Sequence, residues 1–154
     1  MPALFDKLGI RFAYPENWTL DESDALAGEN SVTVYSPYGA FWLVRVLPAR
    51  LDPLTLVEQT LATFRKEYTD LDAEPFDDVF GDCDVFGCEI NFYYLDMTNT
   101  AIVKSYGTPE YTIVVLTQAD DRDLAVVGKV FEAMTFSLMQ FTIGGGEGEE
   151  AAGQ

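Results

Sequence analysis

Of the residue types that carry chemistry, this chain offers two cysteines, 26 acidic side chains and no histidine. Without imidazole the commonest general base near neutral pH is missing, which excludes Ser-His-Asp and Cys-His nucleophile systems. Cys83 and Cys88 would need two further thiolate or imidazole ligands to hold a zinc ion, and the sequence has none to give. Carboxylates would substitute poorly. The pair reads first as two small apolar side chains in a strand and second as a redox couple.

Acids dominate what is left. Between Lys66 and Lys104 stand ten of them, from Glu67 to Asp96, and no base. Asp70, Asp72 and Glu74 alternate, which raises calcium binding. An EF-hand loop, however, needs Gly at its sixth place and Glu at its twelfth, where this chain has Pro75 and Gly81. Alternation at period two is also what a strand with one wet face shows. The run reads as a solvated face, or as a surface for a basic partner or a cation. As a partner surface its best candidates are Asp70, Asp72, Glu74, Asp77 and Asp78, together with the aromatic Trp42 and Tyr94. A net charge of −17 argues against nucleic acid, whose phosphates must be met by Lys and Arg, and against anionic membranes.

Arg45 and Lys104 are lone bases within apolar runs; each can pair with a buried carboxylate or capture an anion in a pocket. The aromatics Phe41, Trp42, Phe92, Tyr93, Tyr94 and Tyr106 can fill a core or line a groove. Phosphate-binding Gly-rich motifs are absent, and Gly144-Gly145-Gly146 has no helix after it, so nucleotide binding has no support. Carboxylates for glycoside hydrolysis are plentiful, but nothing singles out a pair. No metal or cofactor is expected.

The elements that must position these residues follow from pattern. Gly9 to Tyr14 and Trp18 to Leu20 read as strands joined in a hairpin by the Pro15-Glu16-Asn17 bend. Asp21 to Asn30 is a polar loop. Ser31 to Tyr35 and Ala40 to Leu47 form a second hairpin, its later strand apolar on both faces and therefore central. Asp52 caps a helix opened by Pro53 and running to about Tyr68, with Leu54, Val57, Leu61, Phe64 and Tyr68 as its apolar stripe. Strands return over Leu71 to Phe76, Val79 to Leu95, Thr100 to Tyr106 and Tyr111 to Thr117, a meander. A second helix is capped by Asp120 to Asp123 and buries Leu124, Val127, Phe131 and Met134. Phe136, Leu138 and Phe141 suggest a last extended segment.

One domain over residues 1–143 and a flexible acidic tail over 144–154 are expected. The longest charge-free run, the 15 residues from Asn30 to Val44, is broken by a turn, so no bilayer-spanning helix is expected. Asp6 and Lys7 interrupt what a secretory signal would keep apolar, which points to the cytoplasm.

Phe12-Ala13-Tyr14-Pro15-Glu16-Asn17-Trp18, the hairpin Val32 to Val46, the helix Pro53 to Tyr68 and the ending Val130 to Phe136 together resemble the Mog1/PsbP-like superfamily. The resemblance implies an α+β fold, an α/β/α sandwich around a mostly antiparallel sheet of about six or seven strands, with two main helices. Members include a photosystem accessory subunit, a factor acting on a small nuclear GTPase and chaperones of secretion-system effectors, so the fold alone implies no single function. Metal binding in the photosystem members involves histidine, which this chain lacks. The functional expectation is a non-catalytic module that binds a protein partner, a second copy of itself included, as an accessory factor or a chaperone of a secretion effector, with no nucleic acid and no membrane insertion. The alternative is a small-ligand binder with an aromatic pocket between sheet and helix.

Overall fold

Apolar alternation draws much of the chain into strands, and a computed structural model describes residues 2–144. In chain order the elements are β1 (Pro2–Lys7), β2 (Ile10–Pro15), β3 (Thr19–Asp21), α1 (Ser23–Leu26), β4 (Ser31–Tyr35), β5 (Phe41–Pro48), α2 (Pro53–Glu67), β6 (Leu71–Phe80), β7 (Cys83–Tyr94), β8 (Met97–Gly107), β9 (Tyr111–Asp120) and α3 (Asp121–Thr142). Seven strands form one sheet in the order β3-β4-β5-β9-β8-β7-β6, each neighbouring pair antiparallel. β1 and β2 form a separate ribbon. The α+β sandwich that the sequence implies is present, with the higher of the two strand counts.

Period two sends successive side chains to opposite faces of the sheet. Trp42, Val44, Val46, Tyr106, Ile113 and Val115 meet Phe5, Ile10 and Phe12 of the ribbon and Val127, Phe131, Met134 and Leu138 of α3 in one core. Cys88, Ile90, Phe92, Ala101, Val103 and Val114 face the other way and pack with Val57, Leu61, Phe64 and Tyr68 at α2. Leu54, assigned to that stripe by spacing, is 42% exposed, and Leu56 packs instead.

Local caps hold both helices in place. The Asp52 carboxylate accepts from the Thr55 N–H at 3.1 Å, and the Asp120 carboxylate accepts from the Asp123 N–H at 2.9 Å. The segment from Phe136 to Phe141, expected to be extended, is instead the last part of α3. No proline interrupts it, and Leu138 and Met139 continue the buried stripe at helical spacing. By length and composition α3 is apolar enough to cross a membrane, contrary to expectation; here it packs Val127, Phe131, Met134 and Leu138 against the sheet and ribbon while Val126 and Phe136 stay exposed.

The first hairpin also differs from expectation. β2 pairs with β1, a strand not foreseen, through a turn at Leu8 and Gly9 with φ of 59° and 77°. Phe5 stands opposite Phe12, and their rings stack with centroids 5.1 Å apart. The Pro15-Glu16-Asn17 bend, closed by the Trp18 N–H on the Pro15 carbonyl at 3.0 Å, carries the chain from ribbon to sheet, where β3 pairs with β4. Within the expected loop Asp21–Asn30, Ser23 to Leu26 form one helical turn. The Asp21 carboxylate accepts from both the hydroxyl and the N–H of Ser23, which holds its carboxyl below the usual range. The tail expected over 144–154 lies, beyond Gly144, outside the described residues.

Candidate functional site

The two helical layers are offset. α2 covers one face toward β7, while α3 and the ribbon cover the other face nearer β5 and β9. On the α3 side β6 and the Tyr93 end of β7 are therefore bare: no residue of β6 is buried and Tyr93 is 61% exposed, whereas Val85 and Gly87 of β7 are buried. The α2-facing alternates Cys88, Ile90 and Phe92 are buried.

Register divides the predicted acids. Asp72 stands opposite Asn91, Glu74 opposite Glu89, Phe76 opposite Gly87 and Asp78 opposite Val85, all on the α3 side. The ring of Phe76 lies over Gly87, where any Cβ would collide with it. Asp77, opposite Phe86, points to the other face, and Asp70 precedes the strand. The five acids are exposed but do not form one patch, because a strand alternates its side chains. Tyr94 lies on the α2 side, 49% exposed, edge-on to Tyr68 at 5.9 Å.

Trp42 does not belong to any surface. It is 0% exposed, its ring centroid lies 4.6 Å from that of Phe12, and its Nε1–H donates to Thr135 Oγ1 at 2.9 Å. Its face of β5 is the one covered by both ribbon and α3, so its indole is a core group with its one donor satisfied.

At one end of the bare region Asp70, Asp72, Asn91, Tyr93, Thr98 and Asp121 line an open crevice of about 510 Å³. The Thr100 hydroxyl lies 2.8 Å from an Asp121 carboxylate oxygen and 2.9 Å from Asn91 Oδ1, which ties the start of α3 to the strands. Above it the β7–β8 hairpin closes through Leu95 and Asp96, with φ of 52° and 61°. Left-handed turn positions favour Gly and Asn, and a leucine there costs roughly 1 kcal/mol. Leu95 is nonetheless present, and 77% exposed. Sequence reasoning named Tyr93 among the aromatics that can line a groove but missed Leu95 and Asp121; three large apolar side chains, Tyr93-Tyr94-Leu95, running into a turn were the available signal for Leu95.

Other candidate chemistry separates. Cys83 packs with the α3-side core and Cys88 with the α2-side core, so the thiols point to opposite faces and cannot form a redox couple. Burial raises both thiols above the ordinary cysteine range. Among the described residues, no three His, Cys, Asp or Glu side chains are placed to hold a metal ion. Neither Arg45 nor Lys104 has the buried carboxylate partner expected of it: among the described residues neither forms an ion pair, and no Asp or Glu is buried. Arg45 is exposed beside Gln59 and Thr63 of α2, and Lys104 is half-buried between β8 and α3.

No family profile and no curated protein sequence matches the chain. Solved structures do. Cyanobacterial PsbP (CyanoP) from Synechocystis sp. PCC 6803 matches with a TM-score of 0.60 at 13% identity, over 88% of this chain and 90% of that one. PA94, a protein of unknown function from Pseudomonas aeruginosa, matches with a TM-score of 0.51 at 9% identity, over 85% of this chain and 91% of that one.

Proposed function

The chain has the Mog1/PsbP-like fold, and on that scaffold we propose a non-catalytic module that grips a basic, partly apolar segment of a protein partner. The hairpin tip carries this reading: Tyr93, Tyr94 and Leu95 are all exposed, and Leu95 holds a backbone conformation that a leucine adopts only at a cost. Local strain and exposed apolar side chains at one tip mark contact surfaces. Asp70, Asp72 and Asp121 line the crevice beside Tyr93. Lysine or arginine side chains of a partner fit among those carboxylates while its apolar side chains lie on Tyr93 and Leu95. The −17 charge speeds encounter with such a partner and opposes self-association through this acidic surface. Free thiols on opposite faces of the sheet fit a reducing compartment.

The test is retention from native lysate on immobilised protein at low and high salt, beside the variants Tyr93→Ser/Leu95→Ser and Asp70→Asn/Asp72→Asn. A basic protein should be held by the wild type at low salt, released at high salt, and missed by both variants. Equal retention by the variants would move the contact elsewhere and end this assignment.

A further inference from the structure

Between α3 and the sheet lies a second cleft, of about 240 Å³, that owes nothing to the hairpin tip. Ile102 and Val115 from the strands and Leu124 and Phe131 from the helix give it apolar walls. Lys104 lines it, half-buried, and its ammonium makes no ion pair or hydrogen bond with a described residue. Glu132 also lines the cleft but is exposed and makes no ion pair with Lys104. The cleft's other polar residues, Thr117 and Thr135, are both buried, and Thr135 already accepts from the Trp42 indole.

Gly128 supplies an independent observation. It sits inside α3 and lines the same cleft. Glycine in a helix interior is destabilising relative to alanine, so its presence calls for a reason. Packing supplies none: a Cβ at Gly128 would meet nothing nearer than Leu124 Cδ1, at an ordinary 3.7 Å. What glycine leaves is open space along the helix wall, in the cleft that Lys104 also lines.

We propose that this cleft binds a small monocarboxylate with an apolar body, its carboxylate on the Lys104 ammonium and its hydrocarbon part against Ile102, Leu124 and Phe131. The ligand is small because the volume falls below the ~300–1,000 Å³ of pockets for drug-sized molecules. It carries one negative charge because the cleft offers one cation, and Glu132 with the −17 field opposes a second.

Isotope-labelled full-length protein titrated with hexanoate, phenylpropionate and, as a charge-reversed control, phenethylamine tests this by NMR. Both carboxylates should shift the Gly128 and Lys104 amides saturably, and the amine should not. Lys104→Met, of similar length and apolar, should weaken carboxylate binding by about tenfold or more, the loss of one charge-assisted hydrogen bond. Gly128→Val should abolish binding by filling the space, with circular dichroism reporting an intact fold for both variants. The Tyr93→Ser/Leu95→Ser protein should bind like wild type, which separates this site from the partner surface. Absence of saturable shifts with either carboxylate, equal binding by Lys104→Met, or equal binding of the amine would overturn the proposal.

Discussion

Glu74 and Glu89 stand directly opposite each other across the β6–β7 ladder, on the α3 side of the sheet, Glu74 exposed and Glu89 half-buried. Like charges in that position repel, neither carboxylate forms an ion pair among the described residues, and salt screens the repulsion. Glu74→Thr should stabilise the fold by roughly 0.2–1 kcal/mol in urea unfolding at low ionic strength. The gain should shrink at high salt. A gain unaffected by salt would assign it to strand propensity instead.

Cys83 and Cys88 share a strand but not a face. Under a mild thiol oxidant the native protein should form no internal disulfide, read as an unchanged mass and unchanged mobility without reductant. Alkylation should reach half-buried Cys83 before Cys88, which is 1% exposed, and should accelerate toward alkaline pH because burial raises both thiols.

Tyr106, on the sheet, meets Thr142 in the last turn of α3 at 2.8 Å between hydroxyls. Thr142 gives its own hydrogen to the Leu138 carbonyl at 2.9 Å, so Tyr106 is the donor. Burial raises the Tyr106 phenol well above its ordinary value of 10.0. The native state keeps this proton where the unfolded chain loses it, so unfolding releases a proton and stability falls as pH climbs past about 10. Tyr106→Phe should cost about 1 kcal/mol at neutral pH and flatten the decline above about pH 10, as measured by urea midpoints across the alkaline range.

Leu95→Asn separates stability from contact. Asparagine tolerates the left-handed turn, so the variant should be more stable by roughly 0.5–1 kcal/mol in urea. It should also retain less partner in the low-salt capture experiment, because it removes an exposed apolar side chain. Higher stability with undiminished capture would take Leu95 out of the contact.

Local signals in the chain were enough for most elements. Asp52 before Pro53 and Asp120 before an acidic first turn mark helix starts through caps that act within three residues. The strand Ser31 to Tyr35 and the stripe Leu124, Val127, Phe131 and Met134 appear where their spacing puts them. β1 escaped because six residues ending in Asp6 and Lys7 carry little alternation, and their pairing with β2 depends on Phe5 meeting Phe12.

The candidate site was legible only as a charge run. Asp70 and Asp72 line the crevice, but Tyr93 and Asp121 come to it from β7 and α3. Trp42 lies in a strand apolar on both faces, where composition does not say which face is covered.

By itself the amino-acid order determined the helix caps, the strand periods, the acidity of the β6–β7 region and the lack of imidazole chemistry. Only the tertiary structure decided which strand faces are bare, that Asp77 parts from Asp72 and Glu74, and that Lys104 shares a cleft with Gly128. A side chain's face is set by its own strand, but what lies over that face is set by helices supplied from elsewhere in the chain.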